Sequence, residues 1–415
     1  MLKQIEGSLG VAEAVALCRP GVVCAYPISP QTHIVENVGK FVKTGELKDC
    51  DFLNVESEFA AMSVAIGSSA GGVRTYTATA SQGLLFMTEG IYSASGLALP
   101  IVMTVASRAI GGPINIWNDH SDSLSQRDSG WLQLFCESNQ DAVDTHIMAF
   151  KIAEEVGLPV MVCMDGFVLT HAFERLDIPS QEQVDKFLPA YQPREYLDPK
   201  EPISIGSMVD PDHFTEVRFL QHRKMEKALG VIERVTKEYR EITGHHSGGL
   251  LDCYNCENAD LKLIIMGSSV GTAKDEVDRL AKEGIKAGII SLKSFRPFPY
   301  EALREAIGDT KQVVCLERAF SFGARGILCP EVKRAMEGTD CKIYTAVAGL
   351  GGRAITGTTI RNMVKHALAG KFTEEFTWFD IDANVLNNAL KDSEAVTFPE
   401  GPITESQLKA SVKHA

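Results

Sequence analysis

No long, unbroken apolar run occurs in this sequence; the longest hydrophobic stretches are cut by Ser, Thr or Gly. That excludes the roughly 20 consecutive apolar residues a membrane-spanning helix needs. The start, Met1-Leu2-Lys3-Gln4-Ile5-Glu6-Gly7, has no apolar core of a secretory signal. Clusters of Lys and Arg are also missing, and the net charge is −13 at pH 7. A nucleic-acid surface needs such clusters, so no nucleic-acid partner is expected. There is no G-x-G-x-x-G: the glycine-bearing loop Gly267-Ser268-Ser269-Val270-Gly271-Thr272 departs from that pattern, which disfavours a nicotinamide dehydrogenase. Of ten cysteines, most lie inside apolar runs, such as Cys24 in VVCAY, Cys163 in VMVCMD and Cys315 in VVCLER. They read as small buried hydrophobes in a reducing compartment, not as a disulfide framework. One C-x-x-C exists, Cys253-Tyr254-Asn255-Cys256, with no second pair. A zinc or iron–sulfur site needs more ligands than that, so no metal is expected in this chain. The pair stays open between a redox-active or stray-thiol reading and a structural one. The expected location is the cytoplasm.

What is present is a chain of 415 residues, 45% apolar and 23% charged, enough for two or three domains with a large core. Strand-like runs at 21–25, 74–79, 100–105 and 159–164 alternate with helical candidates at 10–18, 57–70, 82–96 and 144–156. Continuous apolar strands separated by helices imply a parallel sheet covered on both faces. Five prolines (Pro189, Pro193, Pro199, Pro202 and Pro211) then mark an extended crossing segment. An amphipathic helix is expected over 213–242, on Phe214, Val217, Leu220, Met225, Leu229, Ile232, Val235, Tyr239 and Ile242. A second alternation has strands at Leu261–Met266, Ala287–Leu292, Gln312–Leu316 and Cys341–Val347, and helices near 271–283, 299–307, 325–337 and 356–369. The expected fold is α/β with two parallel-sheet domains. The expected boundaries are 1–185 for the first domain, 186–259 for the linker and long helix, 260–372 for the second domain and 373–415 for a C-terminal tail.

The first strand run ends at Tyr26-Pro27-Ile28-Ser29-Pro30. Proline has a fixed φ and no N–H, so Pro27 and Pro30 cannot continue a central ladder. The segment reads as a stiff loop at a strand's carboxyl end, where open α/β sheets bind ligands, or as an ordinary strand-to-helix turn.

Further motifs follow in fixed order. They are Val55-Glu56-Ser57-Glu58, Ala80-Ser81-Gln82-Gly83-Leu84-Leu85, and Ser107-Arg108-Ala109-Ile110 through Asn118-Asp119-His120-Ser121-Asp122. Then come Gln126 to Trp131, Asp165-Gly166-Phe167, Ser294 to Pro299, and Gly349-Leu350-Gly351-Gly352-Arg353. Together they resemble the α subunit of the 2-oxoacid:ferredoxin oxidoreductases, closest to pyruvate:ferredoxin oxidoreductase, over nearly the whole chain. The resemblance implies a thiamin diphosphate domain of the pyrimidine-binding type and a transketolase C-terminal-like domain. It implies reversible, CoA-dependent oxidative decarboxylation of pyruvate to acetyl-CoA and CO2, with electrons passed to ferredoxin, in an anaerobic metabolism.

By the same resemblance Glu58 is the catalytic carboxylate at the cofactor's pyrimidine ring, with Pro27 and Ile28 beside the cofactor. The residues alone leave Glu58 a second reading, a first-turn helix carboxylate behind Ser57 complementing the macrodipole. Arg108 is expected to bind the substrate carboxylate, as an arginine fork suits that task; Ser29 and Ile116 complete the expected substrate contacts. Ser29 stands where the family more often has Thr, so the hydroxyl is kept and a methyl lost. Asn118, Asp119 and His120 are expected in supporting or interface positions.

No G-D-G segment is present; Met164-Asp165-Gly166 lacks the first glycine. Ligands for Mg2+, the diphosphate and a [4Fe–4S] cluster are therefore expected from a β subunit. Further small subunits, ferredoxin-like and γ-type, are expected to complete a hetero-oligomer. Alternatives are the same chemistry on 2-oxoglutarate, a branched 2-oxo acid or oxalate, or a non-catalytic scaffold.

Overall fold

Short runs of β-branched and apolar residues build the strands of this protein, seen in a computed structural model that describes residues 1–391 and 397–412. The first eight strands are β1 (Leu2–Glu6), β2 (Val22–Ala25), β3 (Asp51–Asn54), β4 (Thr75–Thr79), β5 (Val102–Ser107), β6 (Leu132–Phe135), β7 (Val160–Asp165) and β8 (Phe173–Asp177). Next come β9 (Leu251–Tyr254), β10 (Leu261–Ile265), β11 (Ala287–Leu292) and β12 (Ser294–Arg296). The last are β13 (Gln312–Glu317), β14 (Lys342–Val347), β15 (Phe376–Trp378) and β16 (Ile403–Thr404). The chain forms two units, one of Met1–Leu250 with Lys293–Pro299, the other of Leu251–Leu292 with the chain from Tyr300 onward.

In the first unit the sheet order is β12-β6-β7-β5-β4-β2-β3. All pairings are parallel except that of β12 with β6. Every residue of β2, β4, β5, β6 and β7 is buried, as expected for a parallel sheet covered on both faces. The helices are α1 (Gly7–Leu17), α2 (Thr32–Thr44), α3 (Glu58–Ala70), α4 (Ser81–Phe86), α5 (Thr88–Gly96), α6 (Ser121–Ser125), α7 (Asn139–Val156), α8 (Gln181–Phe187) and α9 (Phe214–Thr243). The small residues of α3 let Ala61, Met62 and Ala65 bury against the sheet. The helix expected over 82–96 is broken at Met87 into α4 and α5. In α9 only the second half of the apolar stripe is buried, through Val231, Ile232, Val235 and Tyr239; Phe214, Val217 and Leu220 are exposed.

In the second unit the order is β16-β15-β14-β13-β10-β11-β9. Its inner pairings are parallel, and the edge strands β9 and β16 run antiparallel. Leu263, Ile265, Val277, Leu280, Ile289, Ile360 and Met363 belong to its core. Residues after 372, expected as a tail, supply β15 and β16 and so extend this sheet. Among the described residues no helix is long and apolar enough to cross a membrane.

Candidate active site

Because the strands of the first unit are parallel, their carboxyl ends share one edge. The chain leaves β2 as Tyr26–Pro30, β3 as Val55–Ser57, β4 as Ala80, β5 as Arg108 and β7 as Gly166. The proline loop is tied down from below: buried Gln31 donates from Nε2 to Tyr26 O at 2.8 Å and to Ala78 O at 3.2 Å. Gly166 lets Pro30 approach, since a Cβ there would meet Pro30 Cγ at 2.4 Å and Ser107 O at 2.7 Å.

Glu58 is the first residue of α3. Ser57 caps that helix, its Oγ accepting from Ala60 N–H at 3.2 Å, and Glu58 stands in the first turn, where a carboxylate also complements the macrodipole. Glu58 is 8% exposed, and among the described residues its carboxylate has neither a hydrogen bond nor an ion pair. It lies against Gly83 of α4, where a Cβ would stand 2.6 Å from Glu58 Oε1 and 2.6 Å from Thr79 Oγ1. The Thr79 hydroxyl is itself buried without a partner. Buried polar groups are ordinarily satisfied, so the orphaned Thr79 hydroxyl beside a mostly buried carboxylate, whose oxygens keep some contact with solvent, marks a site for a polar ligand. A carboxylate kept bare in a cradle that a methyl group would fill suits a ligand bearing N–H or cationic nitrogen, as an aminopyrimidine ring does. Glu56, two residues earlier, is exposed.

Arg108 is 7% exposed. Its Nη1 donates to Ser29 O at 2.9 Å and its Nε to Asn115 O at 3.2 Å. Among the described residues Nη2 has no partner. Burial lowers the Arg108 pKa from its ordinary value, with Asp122 opposing. The proline loop and the segment from Ala109 to Asn118 thus hang on one guanidinium. That segment is closed by Ala109 N–H to Trp117 O at 2.9 Å and by Ile110 N–H to Ser121 Oγ at 3.0 Å. Asp119 Oδ1 accepts from Ser121 N–H at 2.9 Å, and His120 pairs with Asp165 at 2.8 Å, both buried. Asn118 is buried with its Nδ2 unpartnered.

The structure brings Ser29 to Arg108 through its carbonyl oxygen, whereas Pro27, Ser29 and Ile116 are exposed and Ile28 is half-buried. The apolar residues of the two loops therefore do not shut water out within this chain.

Three residues with structural roles here, Asp122, Ser81 and Gly83, lie in motifs of the sequence but had no role in its reading. Asp122 is fully buried; its Oδ2 accepts from the N–H of both Ser81 and Arg108 at 2.9 Å, and its Oδ1 from Ser123 N–H at 2.6 Å. It clamps the ends of β4 and β5 together. Burial pushes its pKa up to about 7, against the pull of those three donors. Ser81 is held at a left-handed φ of 50°, and its Oγ donates to Ala109 O at 2.6 Å. Gly83 is the third, and none of the three carries a spacing that marks its role in advance. Beside Phe167, which packs on Trp117, Glu6, His33 and His171 place ligand atoms within 4.8 Å of one another. Glu6 and His33 already pair at 2.8 Å, and His171 Nδ1 is 2.7 Å from Thr170 Oγ1.

Comparison with known proteins gives consistent matches. The family model described as pyruvate flavodoxin/ferredoxin oxidoreductase, thiamine diphosphate-binding, matches residues 13–237. The model of pyruvate:ferredoxin oxidoreductase core domain II matches residues 259–360. Pyruvate synthase subunit PorA of Methanosarcina barkeri is 44% identical over 392 residues, covering 92% of this chain and 97% of that one. Ketoisovalerate oxidoreductase subunit VorA of Pyrococcus horikoshii is 40% identical over 386 residues, covering 91% and 98%. The solved 2-oxoglutarate:ferredoxin oxidoreductase from Magnetococcus marinus, with 2-oxoglutarate, coenzyme A and succinyl-CoA bound, aligns at a TM-score of 0.66 with 22% identity. That alignment covers 88% of this chain, which spans 65% of the solved one. At such identity the likeness shows the fold alone.

Proposed function

The chain belongs to the pyruvate flavodoxin/ferredoxin oxidoreductase family, and from that premise we propose that it is the α subunit of a pyruvate:ferredoxin oxidoreductase. In this reading it carries half of the site for reversible, CoA-dependent conversion of pyruvate to acetyl-CoA and CO2, with electrons passed to ferredoxin. The reading rests on Glu58, a buried carboxylate without a partner, held over Gly83 at the edge where Arg108 also emerges.

Thiamin diphosphate, when bound, supplies a nucleophilic carbon and an electron sink for loss of CO2. Glu58 holds a proton against the pyrimidine nitrogen; burial away from water strengthens that hydrogen bond. Pro27 and Ile28 offer stiff backbone to the same ring. Arg108 keeps two donors on Ser29 O and Asn115 O and turns Nη2 to the carboxylate of the oxo acid. The Ser29 hydroxyl donates to an oxygen of the substrate, and Ile116 bounds its methyl end. Asp122 fixes the backbone on which Arg108 and Ser81 stand.

A β subunit supplies ligands for Mg2+ and the diphosphate together with the nearest [4Fe–4S] cluster, and covers the exposed faces of Pro27, Ser29 and Ile116. In a cytoplasmic complex a ferredoxin-like subunit carries electrons onward and a γ-type subunit brings the remaining domain. The relative named for ketoisovalerate, at 40% identity, supports a second reading with a branched 2-oxo acid. The test is to purify the whole complex without oxygen and assay pyruvate, 2-oxoisovalerate and 2-oxoglutarate with CoA and a viologen dye. Pyruvate should give the highest kcat/KM. Preference for the branched acid would favour the second reading, and no CoA-dependent dye reduction with any oxo acid would reject both.

A further inference from the structure

Cys253 and Cys256, unused by the proposed chemistry, close the edge strand β9. Asn255 turns the chain there with a left-handed φ of 51°. One carboxylate fastens the turn to the helix Ser269–Lys282: Tyr254 Oη donates to Asp278 Oδ2 at 2.8 Å, and Asn255 Nδ2 to Asp278 Oδ1 at 3.0 Å. Both residues between the cysteines are therefore held by the same side chain. Gly288 on β11 makes room for Cys256, since a Cβ at Gly288 would stand 2.9 Å from Cys256 Cα and 3.1 Å from its Sγ. Cys256 Sγ donates to Ile289 O at 3.2 Å and lies 3.6 Å from Tyr254 O. Cys253 is exposed and Cys256 half-buried. Two adjacent thiols, fixed by a built turn and unequal in access, match what an attacking and a resolving thiol require.

We propose that Cys253 and Cys256 are a reversible dithiol–disulfide pair, with Cys253 the attacking thiol, Cys256 the resolving thiol and a low-molecular-weight disulfide the oxidant. The Cys253 thiolate attacks one sulfur of the oxidant R–S–S–R; the Cys253–S–S–R bond forms, the oxidant's S–S bond breaks, and R–S⁻ leaves. Cys256 then attacks the Cys253 sulfur and expels the second R–S⁻, while the Cys256 proton passes to one of the two released thiolates. Two electrons move from the cysteine pair to the oxidant, leaving the Cys253–Cys256 disulfide, one R–S⁻ and one R–SH. Electrostatics favours this order. The neighbouring Cys256 thiol, helped by Lys262, lowers the Cys253 pKa to about 7, against burial and Asp252. The neighbouring Cys253 and burial push Cys256 upward. A thiol whose pKa is near ambient pH is the most effective attacker.

The test equilibrates the complex containing the full chain, without oxygen, in glutathione buffers of increasing disulfide fraction, followed by alkylation, digestion and mass measurement. The peptide with both cysteines should lose two hydrogens, refuse the alkylating agent, and recover on treatment with dithiothreitol. Its Cys253 should alkylate with a midpoint near pH 7, below Cys50 and Cys341, whose thiols are pushed up by burial. Cys256→Ser should trap Cys253 as a stable mixed disulfide with glutathione; Cys253→Ser should leave Cys256 unmodified. The proposal is overturned if Cys253 and Cys256 remain alkylatable at disulfide fractions that already modify Cys50 and Cys341. A mixed disulfide at Cys253 that persists in the unmutated chain would overturn it equally.

Discussion

The Glu58 carboxylate is packed so closely on Gly83 that a single added carbon at position 83 would stand 2.6 Å from Oε1. Gly83 lies inside α4 with no unusual backbone requirement, so its small size serves the carboxylate. Gly83→Ala should therefore displace Glu58 while sparing the fold. The carboxylate can move aside but buried Thr79, whose Oγ1 is equally close, cannot, so the melting temperature should fall by several degrees, overpacking costing about 1–3 kcal/mol. Turnover by the complex should fall tenfold or more. Parallel kinetics and thermal melts check this; normal turnover would show that the carboxylate position is not critical.

Arg108 links both loops and is assigned to the substrate carboxylate. Hydrogen bonds to charged groups are worth about 1.5–3 kcal/mol. Arg108→Ala should thus raise the KM for the 2-oxo acid roughly 10- to 150-fold, with little change in the KM for CoA. The alanine also strands Ser29 O and Asn115 O, so Arg108→Lys is the cleaner variant. It restores the charge without the planar fork and should recover part of the affinity. Equal losses for CoA and oxo acid would move Arg108 out of the substrate site.

Asp122 gives a pH dependence with a definite sign. Burial raises its pKa from 3.8 to about 7 in the folded chain. Between those values the folded state binds a proton that the unfolded state has released, so the contribution of this group to stability falls as pH rises. Asp122→Asn cannot titrate. Melting curves of the two proteins between about pH 4 and pH 7 should therefore diverge, the native chain losing stability relative to the variant toward pH 7. Parallel curves would mean that Asp122 is ionised throughout.

Residues whose chemistry is local were legible in the sequence. Pro27 and Pro30 mark the loop after β2, and the apolar runs of β5 and β7 stand within two residues of where the sequence put them. Strand β3, only four residues long, with Phe52 and Leu53 between polar ends and mostly exposed, was too short to give an apolar run. The break at Met87 and the strands β15 and β16 depend on packing partners distant in sequence. Asp122 and Gly83 were hidden for the same reason: one acts through the backbone of Ser81 and Arg108, the other by leaving space for Glu58. The apolar stripe of α9 gave the helix correctly but not its burial, which stops short of Phe214, Val217 and Leu220.

The central claim is that Glu58 is the carboxylate on which the chemistry of this half-site depends. Glu58→Gln keeps the shape and can still contact a pyrimidine, but it cannot hold or exchange the proton. In the assembled complex, pyruvate- and CoA-dependent reduction of a viologen dye should fall roughly 10²–10⁴-fold, the range of general acid–base contributions. The circular dichroism spectrum, melting temperature and subunit composition should stay unchanged. Turnover within a few-fold of the native complex, with the variant folded and assembled, would contradict the account.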